Sequence, residues 1–122
     1  MTAATTYNER VRQLFAAPAH VGNLGGPVAD VARGGSRVVL SAEIEGTQVK
    51  RLAFRAFGCP HLIAAAERFC DEFEGRPARD MTASPARDSL QELEIPVEKT
   101  GQILLLEDAA LALQASIAAR YS

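Results

Sequence analysis

Residues 36–73 read SRVVLSAEIEGTQVKRLAFRAFGCPHLIAAAERFCDEF, and this segment determines the architecture. Apolar side chains occupy alternate positions over residues 38–44 and again over residues 52–56, which is typical of strands with one buried face. Residues 45–47 supply the turn between them, so the segment predicts an antiparallel hairpin. Val49 falls outside the alternation of the second strand, which predicts a β-bulge or a late start there.

A helix is predicted directly after the hairpin. Gly58 and Cys59 form the corner, and Pro60 takes the first helical position, where its missing N–H is not needed. Gly75 supplies a left-handed end. Apolar residues then recur at helical spacing: Leu62, Ile63, Ala66, Phe69, Cys70 and Phe73. This spacing predicts one buried stripe along the helix.

Helices are also predicted at both ends of the chain. Residues 6–9 have the spacing of a capping box and open a helix that ends before Pro18. Residues 20–36 are rich in glycine, which predicts a loop with a short strand at 28–32. A short helix from Ser84 and a last helix over residues 102–121 complete the chain. The apolar residues of the terminal helices are Tyr7, Val11, Leu14 and Phe15 in the first, and Leu106, Ala110, Leu113, Ile117 and Tyr121 in the last.

Strands followed by segregated helices predict one α+β domain over residues 1–122, with helices covering a small antiparallel sheet. The chain has 13 Lys and Arg against 15 Asp and Glu, for a net charge of -2, so a nucleic-acid partner is not expected. No apolar run approaches the roughly 20 residues of a membrane span, and the amino terminus has no signal-peptide pattern. Two cysteines are too few for a disulfide scaffold, which predicts a cytoplasmic protein.

Cys59 is the strongest chemical candidate. A thiol between a strand end and a helix start meets the positive end of the helix dipole and free backbone N–H groups, and both favour the thiolate. Reactive and metal-binding cysteines are often placed this way. The alternative is a small buried residue that closes a tight turn.

The remaining Cys and His residues have weaker signals. Cys70 lies on the apolar stripe of its helix and is predicted to pack in the core. His61 either joins Cys59 in a metal site or has a structural role, and His20 reaches that site only if the glycine-rich loop folds back over it. No catalytic triad, phosphate-binding loop or zinc-protease motif occurs, so an enzyme is not expected.

Four segments together resemble one family, the U-type iron–sulfur cluster scaffolds, which comprise IscU and the amino-terminal domain of NifU. They are YNERVRQLFAAPAHVG at residues 7–22, FRAFGC at 54–59, ELEIPVEK at 92–99 and LLEDA at 105–109. The segments occur in the family's order and extend over nearly the whole chain.

The resemblance implies an α+β domain with a three-stranded antiparallel sheet. Such proteins receive sulfur from a cysteine desulfurase, assemble a [2Fe–2S] cluster and pass it on. Members carry three cysteines, an aspartate and a histidine at one end, and a Leu-Pro-Pro-Val-Lys loop that a chaperone reads. Cys59 corresponds to the middle cysteine, and Lys99 corresponds to the lysine of the chaperone loop.

The chain departs from the family at the other ligand positions. Residues 34–36 are Gly-Gly-Ser where the family has Cys-Gly-Asp, and residues 101–102 are Gly-Gln where it has His-Cys. Residues 95–99 also lack one proline of the chaperone loop. Clusters are normally held by about four thiolates or histidines, so one chain is not expected to hold a cluster in the family manner.

We therefore expect a divergent scaffold-like protein of iron–sulfur cluster assembly that binds a cysteine desulfurase or other assembly proteins. Cys59 is the predicted cofactor-binding residue, Cys59 and His61 the predicted metal ligands, and Lys99 the predicted partner-binding residue. A [2Fe–2S] cluster or iron is the expected cofactor, with a homodimer bridged through Cys59 and His61 or an external thiol. The alternatives are a persulfide carrier through Cys59 and a metal-free interaction module.

Overall fold

The computed structural model of the chain describes residues 9–16, 18–82 and 84–121. Short 3-10 turns at Ala78–Asp80 and Val97–Lys99 precede the last two helices. The order of strands and helices confirms the predicted α+β class. In chain order the elements are α1 (Glu9–Ala16), β1 (Val28–Arg33), β2 (Ser36–Glu45), β3 (Gln48–Phe57), α2 (Pro60–Phe73), α3 (Ser84–Glu92) and α4 (Thr100–Tyr121).

The three strands form one antiparallel sheet in the order β1-β2-β3, as expected. Arg51 pairs with Glu43 whereas Val49 pairs with Ile44, so Lys50 is an extra residue on β3 and the predicted bulge is confirmed. The turn from β1 to β2 consists of Gly34 and Gly35, with φ angles of 57° and 86°. Two consecutive positive φ angles are what a tight hairpin turn requires, and glycine adopts them without strain.

The helices cover one face of the sheet. Helix α2 packs against β3, and α4 packs against β1 and β2, while α1 packs on α2. The predicted stripe of α2 is buried, with Ile63 only partly so. In α4 the predicted seam is buried at Leu106, Ala110, Leu113 and Ile117. Val11 and Leu14 of α1 are also buried, but its capping box before Glu9 lies outside the described residues.

Helix α4 is long and apolar enough to pass as a membrane span by composition. Within Val97–Ala119 an 18-residue window has a mean hydropathy of 1.3, and the core helices of soluble proteins share this property. Ile103, Leu106 and Leu113 are fully buried in the core beneath the sheet. This packing accounts for the apolar composition of the helix.

The glycine-rich segment 20–27, which we call the strap, runs over the other face of the sheet. The backbones of His20 and Gly22 form hydrogen bonds with the backbone of Phe54 on the free edge of β3. The strap then crosses toward β1, and the Leu24 N–H donates to the buried Ser41 Oγ at 3.0 Å. At Gly26 the approach is closest, because a Cβ there would lie 2.1 Å from the carbonyl oxygen of Ala42.

Candidate functional site

Cys59 lies where the sheet meets the helical layer. β3 ends at Phe57, and Cys59 is the N-cap of α2 with an extended backbone (φ -79°, ψ 164°) and Pro60 directly after it. Its carbonyl oxygen accepts the N–H of Leu62 at 3.0 Å, the first bond of the helix. The side chain is half-buried. The thiol is therefore at the predicted corner and partly accessible to solvent.

Gln102 reaches this corner from the first turn of α4. The backbone N–H of Cys59 donates to Gln102 Oε1 at 3.0 Å. A Cβ on Gly58 would lie 2.5 Å from the same oxygen, 2.8 Å from Leu62 Cδ2 and 3.4 Å from Ser36 Oγ. Ser36, Cys59 and Gln102 thus lie around one point, although they belong to three different segments of the chain.

The contact between Gln102 and Cys59 changes the chemistry expected from the sequence. Free backbone N–H groups at a helix start were part of the reason to expect a stabilised thiolate at Cys59. One of these N–H groups is instead bound by the amide oxygen of Gln102. The sequence contains no local signal for this bond, because the two residues are 43 positions apart.

His61 lies beside the thiol. Its Nδ1 is 4.0 Å from Cys59 Sγ, and the residue is buried. Burial and the nearby Lys99 charge lower the pKa of His61, and Glu98 opposes them. The ring is thus biased toward its neutral form, in which imidazole binds metal ions. The structure brings Cys59, His61 and Lys99 to the same end of the molecule.

His20 is placed elsewhere. Its ring contacts Glu67 and Glu74, with Nδ1 2.5 Å from Glu67 Oε2 and Nε2 3.0 Å from Glu74 Oε1. Glu67 lies eight residues beyond Cys59 on α2, roughly 12 Å along the helix axis. The strap therefore does not deliver His20 to the thiol.

Electrostatics at His20 reflect these contacts. Burial alone lowers the pKa of His20, but the hydrogen bonds and charges of Glu67 and Glu74 together outweigh burial and raise the pKa above its usual value. The ring therefore favours the charged form. Glu74 also accepts the Leu52 N–H through Oε2 at 3.0 Å, so this cluster joins α2, the strap and β3.

Cys70 has the predicted core position. It is fully buried, and burial raises the pKa of its thiol well above the usual value, with the nearby carboxylates of Glu67, Glu74 and Asp71 adding to the effect. A thiol that is both inaccessible and held neutral is unreactive.

The donors at the Cys59 corner do not match an iron–sulfur cluster within one chain. No group of three or more His, Cys, Asp or Glu side chains in residues 9–16, 18–82 and 84–121 is arranged to hold a metal ion. Cys59 and His61 are two donors, whereas a tetrahedral ion takes about four. A hydroxyl at Ser36 and an amide at Gln102 are poor substitutes for thiolates.

These features define the fold. A three-stranded antiparallel sheet, two long helices on one face and a cysteine at the corner from β3 to α2 correspond to the U-type scaffold fold that the sequence resemblance predicted.

Comparison with known proteins supports this fold. No family model and no curated protein matches the sequence. A solved structure of a hypothetical protein matches with a TM-score of 0.64 and 23% identity over 88% of this chain and 93% of that chain. A protein of Fervidobacterium islandicum AW-1, assigned as an iron–sulfur cluster assembly scaffold for the SUF system, matches with a TM-score of 0.61 and 14% identity, over 95% of this chain and 92% of its own.

A third structure agrees with these two. The amino-terminal part of a nitrogen-fixing NifU-like protein from Brucella abortus matches with a TM-score of 0.57 and 20% identity, over 89% of this chain and 82% of its own. At these identities the likeness concerns the fold. The chain has the U-type scaffold fold, and its divergent ligand positions agree with the low identity.

Proposed function

We propose that this chain is an accessory, scaffold-like protein of iron–sulfur cluster assembly that acts by binding, not as an enzyme. It works in the cytoplasm and binds a cysteine desulfurase or other assembly proteins. The fold supports this proposal, because two solved structures that share it are described as an assembly scaffold and a NifU-like domain. The observation that carries it is the Cys59 thiol, partly exposed at the corner to which the resemblance assigns a cluster ligand.

Cys59 and His61 form half of a metal site in this proposal. A tetrahedral ion held at roughly 2.3 Å by sulfur and 2.1 Å by nitrogen places these donors about 3.6 Å apart. The observed separation is 4.0 Å, so a small movement of either side chain suffices. The other donors come from outside the chain, and a second copy would complete the ligand set of a [2Fe–2S] cluster held between two protomers.

Anaerobic reconstitution tests this function. The chain is incubated with ferrous iron and sulfide, and absorbance, iron and sulfide content and molecular mass are measured. We expect one cluster for each pair of chains, in a dimer that forms only with the cluster. Cys59→Ser should abolish uptake, whereas Cys70→Ala, which removes the buried thiol, should retain it. Absence of iron and sulfide from both monomer and dimer would rule out cluster binding.

A persulfide carrier without metal is the second candidate. It is favoured by the contrast between the half-exposed Cys59 and the buried Cys70. The Cys59 thiolate would attack the outer sulfur of a donor persulfide, forming a new S–S bond while the donor leaves as a thiolate. Incubation with a cysteine desulfurase and cysteine should then add the mass of one sulfur atom to Cys59 and none to the Cys59→Ser variant.

Lys99 is proposed as a partner-binding residue. It ends the 3-10 turn Val97–Lys99, where Val97 is 87% exposed. The resemblance assigns this lysine to a loop that a partner protein reads, and the exposed Val97 leaves the turn open to such a contact. If Lys99→Ala weakens binding of an assembly protein and Cys59→Ser changes neither binding nor phenotype, the chain is an interaction module without thiol chemistry.

A further inference from the structure

The amide oxygen of Gln102 lies at the corner between β3 and α2, 3.0 Å from the backbone nitrogen of Cys59. The sequence resemblance places a family cysteine at this position, and the structure directs the Gln102 amide onto the corner that carries Cys59. Gly58 provides the room, since any Cβ there would lie 2.5 Å from Gln102 Oε1. The corner is thus closely fitted to the amide.

The bond that Gln102 makes is to the backbone. Its oxygen accepts the N–H of Cys59 at 3.0 Å, and that bond fixes the main chain from which the thiol projects. The same oxygen is a neutral, hard donor, which matches iron or zinc beside a thiolate poorly. Gln102 therefore orients Cys59 without contributing a ligand suited to iron or zinc.

We propose that Gln102 is the specificity-determining residue of this site: it positions Cys59 and withholds the third protein donor, so that a single chain does not retain a metal ion. The inference rests on the proposed function in one respect, namely that Cys59 is the residue that binds the metal ion or cluster. A metal ion or cluster then stays bound only while a second copy or a partner supplies the missing donors, and it is released when that protein leaves.

Replacing the amide with a thiol should convert the site. Cysteine is shorter than glutamine, so its sulfur at position 102 would lie near the present Cγ of Gln102. The distance from that sulfur to the point where the amide oxygen now lies would be roughly 2.3 Å, which is about the length of one metal–sulfur bond. Cys59, His61 and the new thiol would then supply three donors at one corner of the molecule.

Titration with Co²⁺ under anaerobic conditions tests the proposal, because the absorption of Co²⁺ reports tetrahedral geometry and thiolate ligation. We expect Gln102→Cys to bind one ion per monomer at least about tenfold more tightly than the wild type, with stronger thiolate-to-cobalt absorption. Cys59→Ser in the same background should remove that gain. Gln102→Ala, which deletes the amide and adds no donor, should bind no more tightly than the wild type.

Two results would overturn the inference. One is a wild-type monomer that binds Co²⁺ as tightly as the Gln102→Cys variant, and the other is a Gln102→Ala variant that gains as much affinity. Circular dichroism and thermal unfolding establish that each variant is folded. The titration involves no sulfide and no dimer, so failed reconstitution of the wild type would rule out cluster binding between two chains without deciding the role of Gln102.

Discussion

His20 and Glu67 are joined twice across 47 positions of sequence. The His20 backbone N–H donates to Glu67 Oε1 at 2.9 Å, and the ring Nδ1 lies 2.5 Å from Glu67 Oε2. The second ring nitrogen faces Glu74 at 3.0 Å. The raised pKa of His20 favours a ring that carries a proton on each nitrogen and donates to the two carboxyl groups. This charge neutralises the buried Glu67 and ties the strap to α2.

Stability should therefore depend on pH through His20. The pKa of His20 is raised in the folded state. The charged ring therefore contributes its full stabilisation below the pKa of histidine in the unfolded chain, about 6.5, and loses it as pH rises through the folded pKa. We expect His20→Gln to lower the free energy of unfolding by about 2 kcal/mol at about pH 6, and by less at about pH 8.5. Urea unfolding of both proteins at the two pH values measures the difference.

A surface ion pair provides the control. Arg33 and Asp108 lie 2.7 Å apart with exposed side chains, so Arg33→Gln should change stability by less than about 1 kcal/mol at either pH. His20 and Glu74 line a surface cavity together with Arg51. Arg51 is present in both variants, so the comparison does not change this neighbouring charge. A cost of His20→Gln that is the same at both pH values would contradict the charged state of the ring.

The parts of the fold that were predictable follow from local periodicity. Three features can be recognised from a few neighbouring residues, and the structure contains each of them. They are the apolar alternation along β2 and β3, the out-of-register Val49 and the positive φ angle of Gly75. The sequence pattern predicts Gly34 and Gly35 within a glycine-rich loop, whereas in the structure they form the tight turn between β1 and β2. Two glycines between short strands are a hairpin signal, so this feature was readable.

The site was less predictable because its contacts are long-range. The position of Cys59 follows from a strand, a glycine and a proline in sequence. The bonds from Gln102 to Cys59 and from Glu67 to His20 join residues 43 and 47 positions apart, and no period relates them. Such pairs are set by how α4 and the strap pack, which depends on the whole fold.

Gly26 should tolerate no side chain. A Cβ at this position would lie 2.1 Å from the Ala42 carbonyl oxygen. That oxygen is a backbone atom and cannot turn aside, because the Ala42 N–H donates to the Pro27 carbonyl oxygen at 3.0 Å and holds the two segments together. We expect Gly26→Ala to lower the free energy of unfolding by about 2 kcal/mol or more, measured by urea unfolding.

Gly101 is the matched control for that variant. It lies in the first turn of α4 with open space around its Cα, so Gly101→Ala should leave stability unchanged or raise it by less than about 1 kcal/mol. Equal effects of the two variants would show that the strap does not lie against β2 as described.

The two thiols should react at very different rates. Cys59 is half-exposed, whereas Cys70 is fully buried and burial raises its pKa. With iodoacetamide we expect the native chain to be alkylated at Cys59 on the order of 100-fold faster than at Cys70, because Cys70 must wait for local opening. Mass spectrometry of digested protein measures both. Cys59→Ser should leave the native chain almost unlabelled, and comparable rates at the two sites would refute the burial of Cys70.

Gly58 and Gln102 should be energetically coupled. A Cβ added at Gly58 would press on Gln102 Oε1 at 2.5 Å and on Leu62 Cδ2 at 2.8 Å. The amide can move away only by giving up its bond to the Cys59 N–H, which contributes about 1 kcal/mol. We expect Gly58→Ala to be less destabilising in the Gln102→Ala background than in the wild type, by about that amount, because the bond is already absent there. Urea unfolding of the wild type, the two single variants and the double variant measures this coupling. If Gly58→Ala has the same effect in both backgrounds, Gln102 does not press against the corner, and the assignment of its amide to the Cys59 N–H is wrong.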